Sequence, residues 1–340
     1  MAIKQGYIAV YGASGHTGKF VIDELRRRNM PVIAAGRDPS RFYGDLPFRT
    51  ARINDPASLD LAFSDCAVII NCAGPFLDTA VPIVEAALRI GSCYIDVTAE
   101  QASAQALFDT YDERARAAGI TIIPAAGFYG GLADLLATAL VGGERVDEMT
   151  TAIALSHWWP TQGTRLTGES NNVPRVVVEK GKIVPMHLPA REISWFFDAP
   201  FGEQPMVELS FSEIVTISRH LPIQALHSYL NTAPLAELRD ASTPPPTAID
   251  PNGRSAQLFA MEVVAANADG RRRAKASGQD IYAVSAPLAA EAAARLLQPS
   301  FDRRGALSLG QAFNAHEFLL SLAPAHLTVE FVSLSTGQFF

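Results

Sequence analysis

Gly12-Ala13-Ser14-Gly15-His16-Thr17-Gly18 follows the apolar run Tyr7-Ile8-Ala9-Val10-Tyr11 and precedes residues 19–28, where apolar side chains recur at helical spacing. This order predicts a buried parallel strand, a glycine turn and a helix. In such a unit the first glycine permits the tight turn, the second lets a pyrophosphate approach the backbone, and the third lets the helix pack closely on the strand. The N–H groups that open the helix bind phosphate. The segment therefore predicts a dinucleotide site with contacts from Gly12, Ser14, Gly15, His16, Thr17 and Gly18.

The second predicted strand, residues 31–35, indicates which dinucleotide binds. Enzymes that use NAD usually carry an acidic residue at the end of this strand, where it binds the ribose 2′-hydroxyl. This chain has Gly36 there, followed by Arg37 and Asp38. A guanidinium can bind a 2′-phosphate through two hydrogen bonds, so Arg37, with Arg41 as a second contact, predicts NADP. A solvated surface arginine is the alternative, and Asp38 is the residue that fits NADP least.

The 340-residue chain has room for two domains, and its net charge is −7. The acidic balance argues against a nucleic-acid-binding surface. One basic run, Arg271-Arg272-Arg273 with Lys275, follows Asp269-Gly270. A hairpin turn at that point would make the run a solvated strand face.

Neither a signal peptide nor a membrane span is expected. Met1-Ala2-Ile3-Lys4-Gln5 lacks the features of a signal peptide, and there is no uncharged apolar run of about 18 residues. Cys66, Cys72 and Cys93 show no metal or disulfide spacing, which is typical of reduced thiols in a cytosolic protein. These features predict a cytoplasmic protein without a metal site.

Strands and helices alternate up to about residue 125, which is the pattern of a doubly wound parallel sheet. The strands are expected at 7–11, 31–35, 48–53, 67–71, 93–97 and 120–123, and the helices at 19–28, 57–63, 81–90 and 104–118.

The pattern changes after a helix expected at 132–141, because strands and hairpins then predominate. The later elements expected are a strand at 149–156, a hairpin at 175–184, a second hairpin formed by 255–265 and 271–283, helices at 287–297 and 312–322, and a strand at 327–332. Pro244-Pro245-Pro246 is interpreted as a stiff loop. The sequence thus predicts a Rossmann domain formed by residues 1–127 and 285–340, and an inserted, mostly antiparallel α/β domain at 128–284 for substrate binding and oligomerisation.

Four motifs together resemble the saccharopine dehydrogenase-like (saccharopine reductase) family. They are the glycine segment 12–18, Gly36-Arg37, Asn71-Cys72-Ala73-Gly74-Pro75-Phe76 and Tyr94-Ile95-Asp96-Val97-Thr98-Ala99-Glu100. Gly163-Thr164 is similar to a Gly-Thr loop in the second domain of that family. The resemblance implies a Rossmann domain, an α/β substrate domain and NADP-linked reduction. It implies no particular substrate, because members reduce imines or enoyl groups, and the amino-acid-binding residues of true saccharopine enzymes have no match after residue 150.

Further candidate cofactor contacts follow the fourth and fifth predicted strands, since ligands bind outside the carboxyl ends of parallel strands. Asp96 and Thr98 follow the fifth strand, beside the expected nicotinamide. Asp96 and Glu100 would orient the cofactor or substrate; alternatively, Asp96 caps a turn. The contacts expected after the fourth strand are Asn71, Cys72, Ala73, Gly74, Pro75 and Phe76, with an ordinary strand-to-helix turn as the alternative.

A reductase needs a proton source near the reduced bond, because the cofactor supplies only the hydride. Tyr129 is a candidate, since it lies in a glycine-rich segment at a strand end, and His157 is another. Arg165 could bind a substrate carboxylate or polarise a carbonyl. A structural role is the alternative for each of the three. Trp158 and Trp159 are expected to line a pocket or a subunit interface, because adjacent side chains on a strand point to opposite faces.

The sequence predicts an NADP-dependent oxidoreductase that reduces a C=N, C=O or C=C bond of a small or medium-sized substrate, as a homodimer. Two alternatives stay open. One is a trans-acting enoyl reductase acting on carrier-bound acyl chains, which would need a long apolar groove and a basic docking patch. The other is a non-catalytic NADP-binding sensor or partner protein, favoured by the absence of a recognisable proton-relay pair.

Overall fold

The computed structural model describes residues 6–334; the segment 1–5, which lacks signal-peptide features, lies outside the described residues. The strands are β1 (Tyr7–Tyr11), β2 (Val32–Gly36), β3 (Phe48–Thr50), β4 (Cys66–Asn71), β5 (Cys93–Asp96), β6 (Thr121–Ile123), β7 (Val146–Leu155), β8 (Val176–Glu179), β9 (Lys182–Pro185), β10 (Glu192–Phe197), β11 (Gly202–Glu208), β12 (Ile223–Asn231), β13 (Leu258–Asn267), β14 (Gly270–Gln279), β15 (Gly305–Ala306) and β16 (Leu327–Leu334). The α-helices are α1 (His16–Arg27), α2 (Pro56–Phe63), α3 (Phe76–Ile90), α4 (Gln101–Ala118), α5 (Ala133–Val141), α6 (Gln162–Ser170), α7 (Glu213–Ser218), α8 (Thr232–Arg239), α9 (Ile281–Leu296), α10 (Leu309–Ala312) and α11 (Ala315–Leu322).

The first sheet has seven strands in the order β15-β6-β5-β4-β1-β2-β3. All of its pairings are parallel. The strand order reverses between β1 and β4, and ligands bind in the crevice that such a reversal opens at the carboxyl ends of the strands. Every residue of β4 is buried, as expected for a strand that is covered on both faces. The predicted doubly wound parallel sheet is confirmed.

The second sheet has nine strands, seven of them in the order β10-β11-β12-β7-β13-β14-β16, with β8 and β9 attached to β12. Its pairings are antiparallel except that of β12 with β7. Helices α5, α7 and α9 contact this sheet. A single apolar core runs from Val10 in the first sheet to Phe259 in the second. The expected second, mostly antiparallel sheet is therefore present.

The last strand pairs with a different sheet from the one that the sequence indicated. β16 pairs with β14 in the second sheet, whereas residues 285–340 were grouped with the first domain. β15, by contrast, pairs with β6 in the first sheet, and α9 packs on α1 as expected. The C-terminal part of the chain therefore adds β15 to the first sheet and then β16 to the second. A strand's apolar pattern reveals that it pairs, but not with which strand.

Several elements differ from the predicted ones. The hairpin β10–β11 and helices α6, α7 and α8 were not predicted. α3 begins at Phe76, earlier than the expected 81–90. The strand predicted at 271–283 ends at Gln279, because the Asp280 carboxylate accepts hydrogen bonds from the N–H groups of Tyr282 and Ala283 and caps α9.

The basic run is not the solvated strand face that was expected. Arg272 pairs with Glu144 at 2.7 Å. The Arg273 side chain is only 17% exposed and lies over the Trp195 ring. Trp195 belongs to β10, and its indole N–H also donates to Glu262 of β13 at 2.9 Å. The unpredicted hairpin therefore covers this face of the second sheet.

Gly18 packs directly against the turn between β1 and α1. A Cβ atom built on Gly18 would overlap the carbonyl oxygen of Gly12 and approach Ala13 Cα to 3.1 Å. The helix therefore lies against the turn at a separation that admits only hydrogen at this position.

We expect Gly18→Ala to lower the free energy of unfolding by about 1–3 kcal/mol, because the added methyl group meets backbone atoms that cannot rotate away. Gly168→Ala is the matched control, since Gly168 also lies in a helix and a Cβ there meets nothing within 4 Å. The control should be neutral or stabilising by up to about 1 kcal/mol. Urea denaturation measures both changes, and equal effects of the two substitutions would contradict the close packing.

Candidate functional site

A cleft of about 1140 Å³ runs along the carboxyl edge of the first sheet. Its first wall comprises the glycine turn, Arg37 and the segments that follow β4 and β5. Its second wall comprises Trp158, α6, Arg175, Phe211 and parts of the segment 238–246. The cleft thus lies between the parallel sheet and elements of the second half of the chain.

The glycine turn brings the start of α1 to the cleft, and its own Gly15 N–H donates to the Gly12 carbonyl at 2.9 Å. Gly12 has a φ of +83°, and a Cβ there would lie 3.0 Å from the Cβ of Ala73. Gly15 precedes α1 in an extended conformation and supplies no side-chain cap. The first N–H groups of a helix have no partner within it, so the start of α1 fits a phosphate group. Ser14, His16 and Thr17 also line the cleft there, whereas Gly18 does not.

The His16 ring lies between α1 and α9. It makes edge contacts with Phe20 at 5.1 Å and Tyr282 at 5.3 Å between ring centroids. Burial lowers its pKa, and its Nε2 atom is buried with no hydrogen-bond partner in the described part of the chain. A neutral ring with an unsatisfied nitrogen at the cleft is consistent with a ligand contact.

Arg37 and Arg41 line the cleft at the end of β2 and are exposed. Among residues 6–334, neither guanidinium lies within ion-pair distance of a carboxylate. The Asp38 carboxylate accepts hydrogen bonds from the Ser40 hydroxyl at 2.7 Å and the Ser40 N–H at 3.0 Å. These bonds hold the pKa of Asp38 below its usual value. Asp38 therefore caps its own short turn, and the two arginines remain available for a 2′-phosphate.

Asn71 shapes the turn after β4 from below the cleft. It is fully buried, and its side-chain oxygen accepts the Ala73 N–H at 3.0 Å. Its amide donates to the Thr79 and Tyr94 hydroxyls, each at 3.1 Å. Asn71 and Pro75 do not line the cleft; the residues of this turn that do are Cys72, Ala73, Gly74 and Phe76.

Asp96 and Thr98 also lie beneath the cleft. The buried Asp96 carboxylate accepts the N–H groups of Ala125 at 2.8 Å and Thr98 at 3.0 Å, and the Tyr94 hydroxyl at 3.0 Å. Burial raises the pKa of Asp96 to about 6. Of the two interpretations that the sequence left open, this geometry matches the turn cap. Both residues are buried and hold the floor of the cleft from behind.

Glu100, which the motif analysis placed beside Asp96, caps the start of the preceding helix α3. Its carboxylate accepts the N–H groups of Phe76 at 2.8 Å and Leu77 at 3.0 Å, at the start of α3. A carboxylate in this position satisfies N–H groups that have no intrahelical partner. The Glu100 side chain thereby fixes the position of Phe76 at the cleft.

Tyr129 lies at the inner wall of the cleft. Its ring is stacked on Phe211, with centroids 4.0 Å apart and planes at 26°. The side chain is 8% exposed, and its hydroxyl has no hydrogen-bond partner among the residues described. Burial raises the pKa of Tyr129 well above its usual value. An unpartnered hydroxyl at a cleft is expected to be satisfied by a ligand or water.

Arg175 and Glu213 adjoin Tyr129 and were not predicted. The Arg175 guanidinium lies 4.7 Å from the centre of the Phe211 ring and donates to the Ser210 carbonyl. Glu213 is fully buried behind the cleft; one carboxylate oxygen accepts the Phe211 N–H at 2.8 Å, and the other has no partner in the described structure. Burial raises the pKa of Glu213 to about 7. Neither residue lies in a local motif, so the sequence offered no signal for them.

The other two predicted catalytic residues occupy different surroundings. His157 is not among the residues that line the cleft: its ring stacks on Trp159 at 4.7 Å and contacts Glu237 at 2.8 Å, and its side chain is 47% exposed. Arg165 does line the cleft. However, its Nη2 donates to the carbonyls of Asp240 at 3.1 Å and Thr243 at 2.8 Å. Arg165 thus ties α6 to the segment that follows α8.

Trp158 is 4% exposed and lines the cleft, with its ring centroid 6.1 Å from that of Tyr129. The alternation argument for the two tryptophans does not apply, because β7 ends at Leu155. Tyr282 was not predicted. Its hydroxyl contacts Thr164 at 2.9 Å and accepts the Trp158 indole N–H at 3.3 Å, so it holds the first turn of α6 over the cleft.

Three further features bear on the chemistry. Cys66, Cys72 and Cys93 form no disulfide within the described structure, and burial raises the pKa of Cys72, which lines the cleft. Among residues 6–334, no cluster of His, Cys, Asp or Glu side chains is arranged to hold a metal ion. None of the described helices is both long enough and apolar enough to cross a membrane.

Residues 8–123 match the family model of the saccharopine dehydrogenase NADP binding domain. A saccharopine dehydrogenase-like oxidoreductase of Bos taurus is 29% identical over 153 residues, which are 38% of this chain and 36% of that protein. A trans-acting enoyl reductase of Mycobacterium ulcerans is 30% identical over 133 residues, which are 36% of this chain and 32% of that protein. The dinucleotide-binding part of the chain therefore belongs to the saccharopine dehydrogenase NADP-binding family, and the resemblance drawn from the motifs is confirmed.

The chain covers about a third of the length of each of these two relatives. One solved structure, a meso-dapdh mutant with DAP from Clostridium tetani, covers 94% of this chain and 98% of its own, at 13% identity and a TM-score of 0.48.

The raised pKa of Asp96 predicts a pH-dependent effect of Asp96→Asn on stability. The amide oxygen can still accept the Thr98 and Ala125 N–H groups, which both bind one oxygen of Asp96. The pKa of Asp96 is about 6 in the folded protein against an ordinary 3.8, so folding favours the neutral carboxyl. The free-energy cost of charging Asp96 in the folded protein therefore grows as the pH rises from about 4 to 6, and it stays constant at higher pH. Relative to the wild type, the variant should gain up to about 3 kcal/mol between pH 4 and pH 7.

Urea denaturation at a series of pH values measures this difference. Asp147→Asn is the control, since Asp147 is exposed on β7 and its substitution should give a difference that is nearly independent of pH. A pH-independent difference for Asp96→Asn would show that Asp96 is charged in the folded protein throughout this range.

Proposed function

We propose that this protein is an NADP-dependent reductase that acts on a C=N, C=O or C=C bond of a substrate bound in the cleft. The observation that carries the proposal is that one cleft is lined by the start of α1, by Arg37 and by Tyr129, whose buried hydroxyl has no partner among the described residues. NADPH supplies the hydride when it is bound. The protein has to bind and orient the cofactor and the substrate, and it has to supply a proton to the reduced bond. The two walls of the cleft provide these functions separately.

The first wall would hold the cofactor. The N–H groups of His16 and Thr17 would bind the pyrophosphate, since they open a helix at the cleft. Arg37, with Arg41, would bind the 2′-phosphate. The segment from Cys72 to Phe76, fixed from behind by Asn71 and Glu100, would support the ribose and nicotinamide. These assignments are supported by the positions of the side chains along the carboxyl edge of the sheet.

The second wall would hold the substrate and provide the proton. Tyr129 is the best-placed donor, because its side chain lines the cleft and its buried hydroxyl has no hydrogen-bond partner within residues 6–334. Burial keeps this hydroxyl protonated at neutral pH, so that it is a donor before reduction. The nearby positive charge of Arg175 lowers the pKa of Tyr129 in opposition to the burial, which would favour proton loss to a substrate atom that gains negative charge.

The aromatic character of the second wall also supports the enoyl-reductase candidate. Phe128, Tyr129, Trp158 and Phe211 form a contiguous set of ring contacts around the inner cleft, which would accommodate a flat, apolar enoyl group. Reduction of a C=C bond on an acyl chain is therefore the second candidate. The cytoplasmic location and the homodimer stay predictions from the sequence.

We expect Arg37→Ala to weaken NADPH binding by about 1.5–3 kcal/mol, because it removes charge-assisted hydrogen bonds to the 2′-phosphate. NADH, which lacks this phosphate, should bind with little change. Arg52→Ala is the control, since Arg52 is exposed near the end of β3 and does not line the cleft. Fluorescence titration of each protein with both cofactors measures the effect. Equal weakening of NADPH and NADH, or tighter binding of NADH by the wild type, would contradict the assignment.

Tyr129→Phe should lower kcat by roughly 10²–10⁴-fold, because it removes the proton donor, with NADPH affinity unchanged. The loss of NADPH absorbance measures turnover on a panel of 2-oxo acids, cyclic imines and enoyl thioesters. His157→Ala should retain activity close to that of the wild type, since its ring lies outside the cleft. Wild-type turnover by Tyr129→Phe would exclude the tyrosine as donor. NADPH binding without turnover of any of these compounds would instead favour the non-catalytic alternative.

A further inference from the structure

Arg175 is a partly buried cation that lines the cleft beside the Phe211 ring. Burial lowers the pKa of its guanidinium, and among residues 6–334 no carboxylate lies within ion-pair distance of it. Among the described residues, its guanidinium donates a hydrogen bond to the Ser210 carbonyl and lies over the face of the Phe211 ring. Buried charges in folded proteins are normally paired. The guanidinium lines the cleft, so an anion that entered the cleft could supply the missing partner.

Glu213 does not supply it. The carboxylate is fully buried behind the cleft and already accepts the Phe211 N–H at 2.8 Å. Burial raises the pKa of Glu213 to about 7, so at neutral pH the group carries only part of a negative charge. The positive charge of Arg175 is therefore only partly offset from within the protein.

The other arginines of the inner cleft differ from Arg175. Arg165 donates through Nη2 to two backbone carbonyls, which fix its position. Arg239 ends α8 and also lines the cleft. Arg175 is distinguished by the stacked rings beside it, since the Phe211 ring contacts both its guanidinium at 4.7 Å and the Tyr129 ring at 4.0 Å.

We infer that Arg175 recognises the carboxylate of a substrate whose carboxylate is joined to a planar group, and that Phe211 and Tyr129 pack against that planar group. This inference rests on the proposed function and adds the substrate class to it. A guanidinium binds a carboxylate through two parallel hydrogen bonds, and the ring surfaces favour a flat neighbour. The bound carboxylate would complete the charge pairing of Arg175, and the Tyr129 hydroxyl would face the group attached to it.

The inference is tested by comparing benzoate with benzamide, which share a planar ring and differ in charge. Calorimetric titration of the NADPH-loaded wild type should show at least a tenfold preference for benzoate, as expected for a charge-assisted pair. Arg175→Gln should abolish this preference. Arg239→Gln, which removes a charge elsewhere in the cleft, should retain it.

Equal binding of the two probes by the wild type, or an unchanged benzoate preference in Arg175→Gln, would overturn the inference. If Arg175→Gln does not fold, as judged by circular dichroism, Arg175→Lys decides: a reduced preference supports the two-bond contact, and an unchanged preference refutes it. NADPH affinity is measured in the same samples. Failure of the wild type to bind NADPH defeats the proposed function, whereas normal NADPH binding without a benzoate preference defeats only the assignment of Arg175.

Discussion

The hydrogen bonds of the buried Asp96 carboxylate connect the segments on which the cleft depends. Through Tyr94 they reach Asn71 at the end of β4, and directly they hold Thr98 after β5 and Ala125 after β6. The Thr98 carbonyl in turn accepts the Ser212 hydroxyl at 3.0 Å, which joins the first wall to the second. Because Tyr129 follows Ala125 by four residues, the position of the candidate donor depends on this buried network.

Two clusters of polar side chains therefore lie close together, one with its hydrogen bonds satisfied and the other with unsatisfied groups. The network around Asp96 is satisfied, since the Asp96, Tyr94 and Asn71 side chains all have hydrogen-bond partners. Such networks make a structure rigid and unique. The cluster of Tyr129, Arg175 and Glu213 is incomplete, because within residues 6–334 the Tyr129 hydroxyl has no hydrogen-bond partner and the Arg175 guanidinium has no ion pair. Unsatisfied buried groups are rare in folded proteins and call for a reason. A ligand at the cleft, as proposed above, would account for the hydroxyl and the cation together.

The sequence revealed those features that depend on neighbours along the chain. The glycine turn, the end of β2 and the alternation of strands and helices are local, and they were sufficient to predict the first sheet and the family that residues 8–123 match. The pairing of β16, the hairpin β10–β11 and the role of Arg175 depend on contacts between distant segments. His157 and Arg165 show the same limit: their residue types suit catalysis, but Glu237 and the carbonyls after α8 occupy them. No local pattern predicted those partners.

The features that local sequence predicted and those that it missed belong to different parts of the proposed site, the cofactor wall and the substrate wall. The residues proposed for cofactor binding all precede residue 100 and lie within the matched segment 8–123. The second wall is formed by residues from Tyr129 to Ser285, beyond that segment. Hydride supply needs the same phosphate-binding turn whatever bond is reduced, so the constraint on the first wall is fixed by the cofactor. The second wall has to fit only the substrate, and a charged residue such as Arg175 can be placed there by the packing of one hairpin without disturbing the strands that bind the cofactor.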